Sequence, residues 1–195
     1  MKKLIAAIAV VLVSQAAMSQ SVSVGLKAGA NLSNFTGKDF NGIKKEGLFG
    51  FHAGGYMSIN LGGISIQPEL LVSTQGAKID FDNNSTTEEY KLTYLSVPVM
   101  VKFRSQSGLY GEIGPQFSFK LDENIGSQTI NDFAKNLDLA AAVGFGIQGK
   151  RGLGIGARYI AGLSKVGDFD GQSISPDFKN SVIQLSIMIG LNPKN

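Results

Sequence analysis

The chain has 195 residues, 43% of them apolar, with a formal net charge of +3 and no cysteine. The lack of cysteine excludes disulfides, thiolate metal sites and cysteine nucleophiles, and past the first 19 residues no apolar run reaches the ~18 residues a membrane-spanning helix needs. Twenty-five glycines among segments dense in Val, Ile, Leu and Phe point to an all-β protein.

Residues 1–19 read as a cleaved signal peptide. Lys2 and Lys3 open it, the apolar run from Leu4 to Val13 is too short to span a bilayer, and Ala17-Met18-Ser19 supplies small residues for cleavage. Residues 20–195 then form one domain. Losing Lys2 and Lys3 lowers the net charge to +1, so composition implies no nucleic-acid partner.

Eight stretches follow in which apolar and polar residues alternate with the period that separates the two faces of a strand. The first, 22–33, sets Val24, Leu26, Ala28, Ala30 and Leu32 against Gly25, Lys27, Gly29 and Asn31. In 48–60, Phe49, Phe51, Ala53 and Met57 oppose His52, Gly54, Tyr56 and Ser58; in 64–75, Ile64, Ile66, Leu70 and Val72 oppose Gln67, Glu69, Ser73 and Gln75. The pattern continues in 90–103, with Val97, Val99 and Val101 against Ser96, Met100 and Lys102. In 109–120, Ile113, Phe117 and Phe119 stand against Glu112, Gln116 and Ser118. Stretch 137–148 sets Leu139, Val143 and Phe145 against Asp138, Gly144 and Gly146, and 153–164 sets Ile155, Tyr159 and Leu163 against Gly156, Arg158 and Gly162. The last is the cleanest: Ile183, Leu185, Ile187, Ile189 and Leu191 against Gln184, Ser186, Met188 and Gly190. Each is about 10 to 13 residues long, enough for a tilted strand to cross a bilayer.

The links alternate too. Gly62-Gly63, 105–108 and 149–152 are tight and of hairpin type, whereas 34–47, 76–89, 121–136 and 165–180 are long and polar. In a meander, all short links then gather at one rim and all long ones at the other, as in outer-membrane barrels. The expected fold is an eight-stranded antiparallel up-and-down transmembrane β-barrel.

A soluble, lipocalin-like periplasmic barrel would show the same alternation turned inside out. A polar face in water should be rich in Lys and Glu. Here it carries mainly Gly, Ser, Gln, Asn and Tyr, with Lys27, Lys102, Lys120 and Arg158 nearly balancing Glu69, Glu112 and Asp138. That suits a narrow lumen filled by side chains and turns the apolar face to lipid. Phe49, Phe51, Tyr90, Phe117 and Phe119 toward the long-loop ends, with Phe103 toward a short turn, match interfacial girdles. Pro68, Pro98 and Pro115 each remove a ladder hydrogen bond, so bulges are expected beside them.

Gly25-x-Lys27-x-Gly29-x-Asn31-x-Ser33, Pro68-Glu69-Leu70 with Gln75-Gly76, Tyr94-Leu95-Ser96-Val97-Pro98 and Gly144-x-Gly146 follow one another in order across the mature chain. In these pieces the chain resembles the PorT-like outer-membrane β-barrel family of Bacteroidetes-type bacteria. The resemblance implies an eight-stranded barrel in the outer membrane and carries over no catalytic residue. The chain departs from the usual insertion signal in ending at Leu191-Asn192-Pro193-Lys194-Asn195 instead of at an aromatic residue.

Chemistry-bearing residues are few. Glu69, Lys102 and Glu112 on three consecutive strands predict a ladder of ion pairs, with Lys27 and Arg158 contributing from the far wall; an unpaired buried charge is costly. His52, the one histidine, lies on a polar face where Ser33 or Ser73 could approach it, yet no spacing marks a nucleophile. Asp168, Asp170 and Asp177 do not have EF-hand spacing. Gly144-x-Gly146 lacks the following helix of a dinucleotide site. The expectation is therefore no catalytic, cofactor-binding or metal-binding residue, and a monomer in contact with outer-membrane lipid. It would act structurally or engage an extracellular or secretion-apparatus protein through loops 34–47, 76–89, 121–136 and 165–180. A narrow small-solute channel is the alternative.

Overall fold

The computed structural model describes residues 21–37, 44–81, 86–125, 128–129, 137–149, 151–164 and 178–191. The expected signal peptide, the Asp168/Asp170/Asp177 segment and the chain after Leu191 lie outside the described residues.

Eight long strands make the wall: β1 (Ser21–Gly37), β2 (Lys44–Asn60), β3 (Ile64–Phe81), β4 (Thr86–Arg104), β5 (Leu109–Ile125), β7 (Leu137–Gln148), β8 (Leu153–Gly162) and β9 (Phe178–Gly190). Each pairs antiparallel with the next, and β9 returns to β1, so the sheet closes. The two-residue β6 (Gln128–Thr129) pairs only with the tip of β5. Following paired residues round the wall from Val24 leads back to β1 at Asn34. A stagger of ten residues across eight strands fixes strong tilt and a narrow bore.

The alternation sorts as expected for a barrel in lipid. Outward side chains are apolar and exposed, Leu185 at 61% and Phe145 at 71%, while Arg158 is 3% and Glu112 5% exposed inside. This orientation rules out the lipocalin-like alternative, whose apolar face would be inward. Two short links follow one plan: Gly108 N–H donates to Ser105 O and Gly152 N–H to Gly149 O. Gly108 and Gly152 take φ of +88° and +82°, a left-handed conformation that glycine adopts without penalty.

Two expectations are corrected. First, β1 to β5 run well into the segments read as loops; β3 and β4 stay paired out to Phe81↔Thr86. In β3 the alternation continues, with Ala77, Ile79 and Phe81 against Lys78 and Asp80, but the polar residues that surround it read as loop. Register there sets opposite charges against each other, at Lys44↔Asp80 and Lys78↔Glu89. Second, the prolines do not sit at bulges. Register is unchanged through Pro68, Pro98 and Pro115, and shifts instead at Gly47/His52 and Thr93/Tyr94. The ladders simply skip a step beside them, from Pro68↔Val99 to Leu71↔Ser96 and from Pro98↔Gln116 to Val101↔Ile113.

Candidate functional site: the filled lumen

The lumen is built in layers. At the short-turn end Tyr56, Tyr110 and Met188 form a buried cluster. Tyr110 donates to Met188 Sδ at 3.8 Å, Gln148 Nε2 donates to the Tyr56 hydroxyl at 3.1 Å, and Lys102 Nζ lies 3.9 Å from the centre of the Tyr110 ring. The phenol ends of the rings come close to the wall because the wall beside them has no side chains. A Cβ on Gly25 would stand 2.4 Å from the Tyr56 ring, and Cβ atoms on Gly146 and Gly156 would stand 2.5 and 2.2 Å from the Tyr110 hydroxyl. The inward glycines of β1, β7 and β8 therefore serve as seats.

Above this floor the five charged residues singled out in the sequence come together, but not as a ladder along three strands. Arg158 is the hub. Its Nε donates to Glu112 Oε1 at 2.7 Å, and its two terminal nitrogens donate to Glu69 at 2.9 and 2.8 Å. Lys27 pairs with Glu69 at 3.2 Å, and Lys102 lies 3.7 Å from Glu112 while donating to Gln67 Oε1 at 3.2 Å. Register explains the difference: Lys102 is paired across to Ser65 on β3 and Glu112 on β5, so it does not reach Glu69. Gly144 sits between Glu112 and Arg158 in register, and a Cβ there would stand 2.9 Å from Glu112 Oε1. The missing side chain opens the route between carboxylate and guanidinium. All five residues are buried, and bidentate pairing with Glu69 is the geometry only arginine offers.

His52 has partners the sequence did not suggest. Its Nδ1 is 2.7 Å from Asn31 Oδ1 and its Nε2 2.9 Å from Ser186 Oγ. Asn31 Nδ2 donates to Phe51 O, Thr74 O and Ser73 Oγ, so Oδ1 is the free acceptor. Nδ1 thus carries the proton and Nε2 accepts from Ser186. Of the two serines expected near His52, Ser33 instead bonds Leu48 O and Gly76 N, and Ser73 bonds Asn31. The order Ser–His–Asn is that of a nucleophile triad, yet all three side chains are buried and a carbonyl substrate has no approach. Ser186 comes from the strand that closes the barrel onto β1, a juxtaposition that periodicity does not report.

The upper lumen is mixed. Met100, Ala140, Ala142, Ile160 and Val182 form an apolar cluster, and Asp138 accepts from Ser164 Oγ and, at 2.8 Å, from Asn180 Nδ2. Among the described residues no group of three or more His, Asp or Glu is placed to hold a metal. On the outer wall Phe49 and Phe51 stack edge-on, with centroids 5.2 Å apart. The Tyr90 side chain lies outside the described residues.

The family model for the outer membrane protein beta-barrel domain matches residues 14–168. No curated protein matches in sequence. Solved structures with the same fold include Neisserial surface protein A, at 12% identity and TM-score 0.56, covering 87% of this chain and 98% of that one. Others are Ail, the attachment invasion locus protein of Yersinia pestis (16%, 0.48, covering 87% and 98%), and OprG from Pseudomonas aeruginosa (12%, 0.45, covering 88% and 94%). At 12% identity the likeness to Neisserial surface protein A establishes the fold alone.

Proposed function

This chain belongs to the outer membrane protein beta-barrel domain family of the bacterial outer membrane, and we propose that it is a closed, non-enzymatic, monomeric barrel of the PorT-like branch, exported on its signal peptide. Its lumen is a structural plug, and its work is done by the long loops at the outer rim. The observation that carries this reading is the Arg158-centred layer lying on the Tyr56–Tyr110–Met188 floor. Five paired charges fill the bore above a floor of packed rings, and such a buried polar network rigidifies the structure around it. With the wall given over to lipid and the bore to packing, the loops are the remaining surface for recognition. They would engage an extracellular or secretion-apparatus protein.

Planar-bilayer recording tests the plug: the folded protein should add no unitary conductance above background, and stable open-channel currents would refute it. Pull-down from intact cells, with and without deletion of 165–180, tests the loops; capture that survives removal of each long loop in turn counts against them. The channel alternative draws on one observation. Gln116 Oε1, Gln184 Oε1 and Asn180 Oδ1 are buried with no hydrogen-bond donor among the described residues, so the upper lumen takes up water. Conduction would further require the tyrosine floor to open.

A further inference from the structure

The lower lumen holds more positive than negative charge. Lys27, Lys102 and Arg158 share two carboxylates, Glu69 and Glu112, and all five residues are buried. Arg158 occupies both oxygens of Glu69 and Oε1 of Glu112. Glu112 Oε2 accepts no hydrogen bond among the described residues and lies 3.7 Å from Lys102 Nζ, beyond hydrogen-bond reach. The other neighbours of that ammonium are neutral: Gln67 Oε1 at 3.2 Å, the Tyr110 ring at 3.9 Å and Met188 Sδ at 4.0 Å. Asp138 is the other buried carboxylate among the described residues. It stands up β7 from Gly144, the register partner of Glu112, by roughly 20 Å of strand. Lys102 is therefore the surplus cation, and it lies beside the floor at the short-turn end.

The mouth below that floor adds charge of the same sign. Arg104 lies two residues beyond Lys102 on β4 and is paired in register with Tyr110, whose ring is buried in the lumen, so Arg104 stands on the lumen side of the mouth. Its Nη2 donates to Gln148 O and Gly149 O, which fixes the guanidinium across the base of β5. Nε and Nη1 have no partner among the described residues, so an exposed, immobilised guanidinium offers its remaining donors to solvent. Arg151 is exposed on the turn that supplies the Gly149 carbonyl, and among the described residues this rim carries no carboxylate. An open concavity here is lined by Gly63, Arg104, Ser105 and Tyr110, with Phe103 and Leu109 at its outer lip. A guanidinium held by neutral carbonyls, with a buried surplus cation one layer above it, is complementary to an oxyanion, and converging cations favour a dianion over a monoanion. We propose that the short-turn mouth binds a small phosphate-bearing solute of the periplasm, its phosphate seated on the free donors of Arg104 beneath the tyrosine floor. The ligand arrives from water and not from the bilayer, because the site faces the bore.

The probe is inorganic phosphate, titrated calorimetrically into the folded protein in neutral detergent without lipid, with ionic strength held constant by chloride. One phosphate should bind per barrel, and acetate, with a single charge, should bind more weakly. Arg104→Gln should weaken phosphate binding roughly tenfold or more, the worth of a charge-assisted hydrogen bond. Lys102→Met leaves the exposed surface intact and should weaken binding roughly threefold, the order expected for one unit charge acting over a few ångströms of watery mouth. Lys179→Gln, which removes an exposed charge from β9 near the opposite rim, should change nothing. Gel mobility confirms that each variant is folded. Absence of saturable phosphate binding, affinity untouched by Arg104→Gln or by Lys102→Met, or an equal loss from Lys179→Gln overturns the site; acetate binding as tightly as phosphate overturns the assignment to phosphate.

Discussion

Replacing Arg158 by methionine keeps most of the apolar stem of the side chain and removes the hub. Three charge-assisted hydrogen bonds are lost, one to Glu112 and two to Glu69. Breaking a buried ion pair by deleting one partner costs about 3–5 kcal/mol, mostly because the survivor is left uncompensated. Here the survivors are not alone. Lys27 stays 3.2 Å from Glu69 and Lys102 3.7 Å from Glu112, so two cations still face two carboxylates. The expected loss is therefore about 3 kcal/mol, the lower end of that range. Arg158→Lys keeps the charge but not the fork, and should lose about half as much, since one ammonium cannot reproduce the bidentate pairing. The measurement is urea unfolding in vesicles followed by gel mobility, where the shift in midpoint multiplied by the slope gives the free-energy change. If Arg158→Met costs under about 1 kcal/mol, the lumen charges are not a cooperative network, and their role as a plug falls with that result.

Four other substitutions probe the lumen and the wall. Lys102→Met should lower the unfolding free energy by about 1 kcal/mol, less than Arg158→Met because its carboxylate partner is more distant; conductance should remain at background in the same protein. Gly156→Ala should cost about 1–3 kcal/mol through overpacking, since the added carbon meets the Tyr110 hydroxyl while the next ring atom is 3.4 Å away. Tyr110→Phe should restore most of that loss, and a double mutant no better than Gly156→Ala would place the clash elsewhere. Leu185→Arg puts a charge on the exposed outer wall near mid-height and should impair folding into vesicles by about 2–4 kcal/mol. Folding of Leu185→Arg at wild-type stability would mean that this face does not meet hydrocarbon.

The transmembrane part of the fold was legible because a narrow barrel in lipid imposes one requirement at every step along each strand. Leu185 must be apolar because it meets hydrocarbon, while the lumen accepts Gln184 and Val182 alike, so it is the outward half of the period that persists along each strand. Where the strands leave the bilayer that requirement lapses. Lys78 and Glu89 are register partners in a ladder, yet the run of polar and charged residues at 82–89 makes the segment read as loop. The membership of the lumen network was legible for a related reason: opposite charges on the inner face of a narrow barrel lie within reach of one another, although Asp138 is met by Ser164 and Asn180 instead. Its connectivity was not, because it depends on register. One residue's slip would exchange neighbours, and no sequence pattern fixes which inward residue of β8 lies beside which of β5.

The glycines carry information that composition conceals. Gly144, Gly146, Gly156 and Gly25 resemble generic strand-weakening residues when read one at a time, and glycine within a strand lowers its stability. Inside this barrel each stands where a bulky partner crosses the wall: Glu112 reaching Arg158, Tyr110 over two glycines, Tyr56 over one. Eight strands leave room only for side chains in the bore, so where a large residue crosses to the facing or adjacent wall that wall is bare. The glycine pattern is thus the complement of the plug. It ties the stability of the wall to the occupants of the lumen, and makes the Gly156→Ala and Tyr110→Phe pair a test of the entire packing scheme and not of one contact.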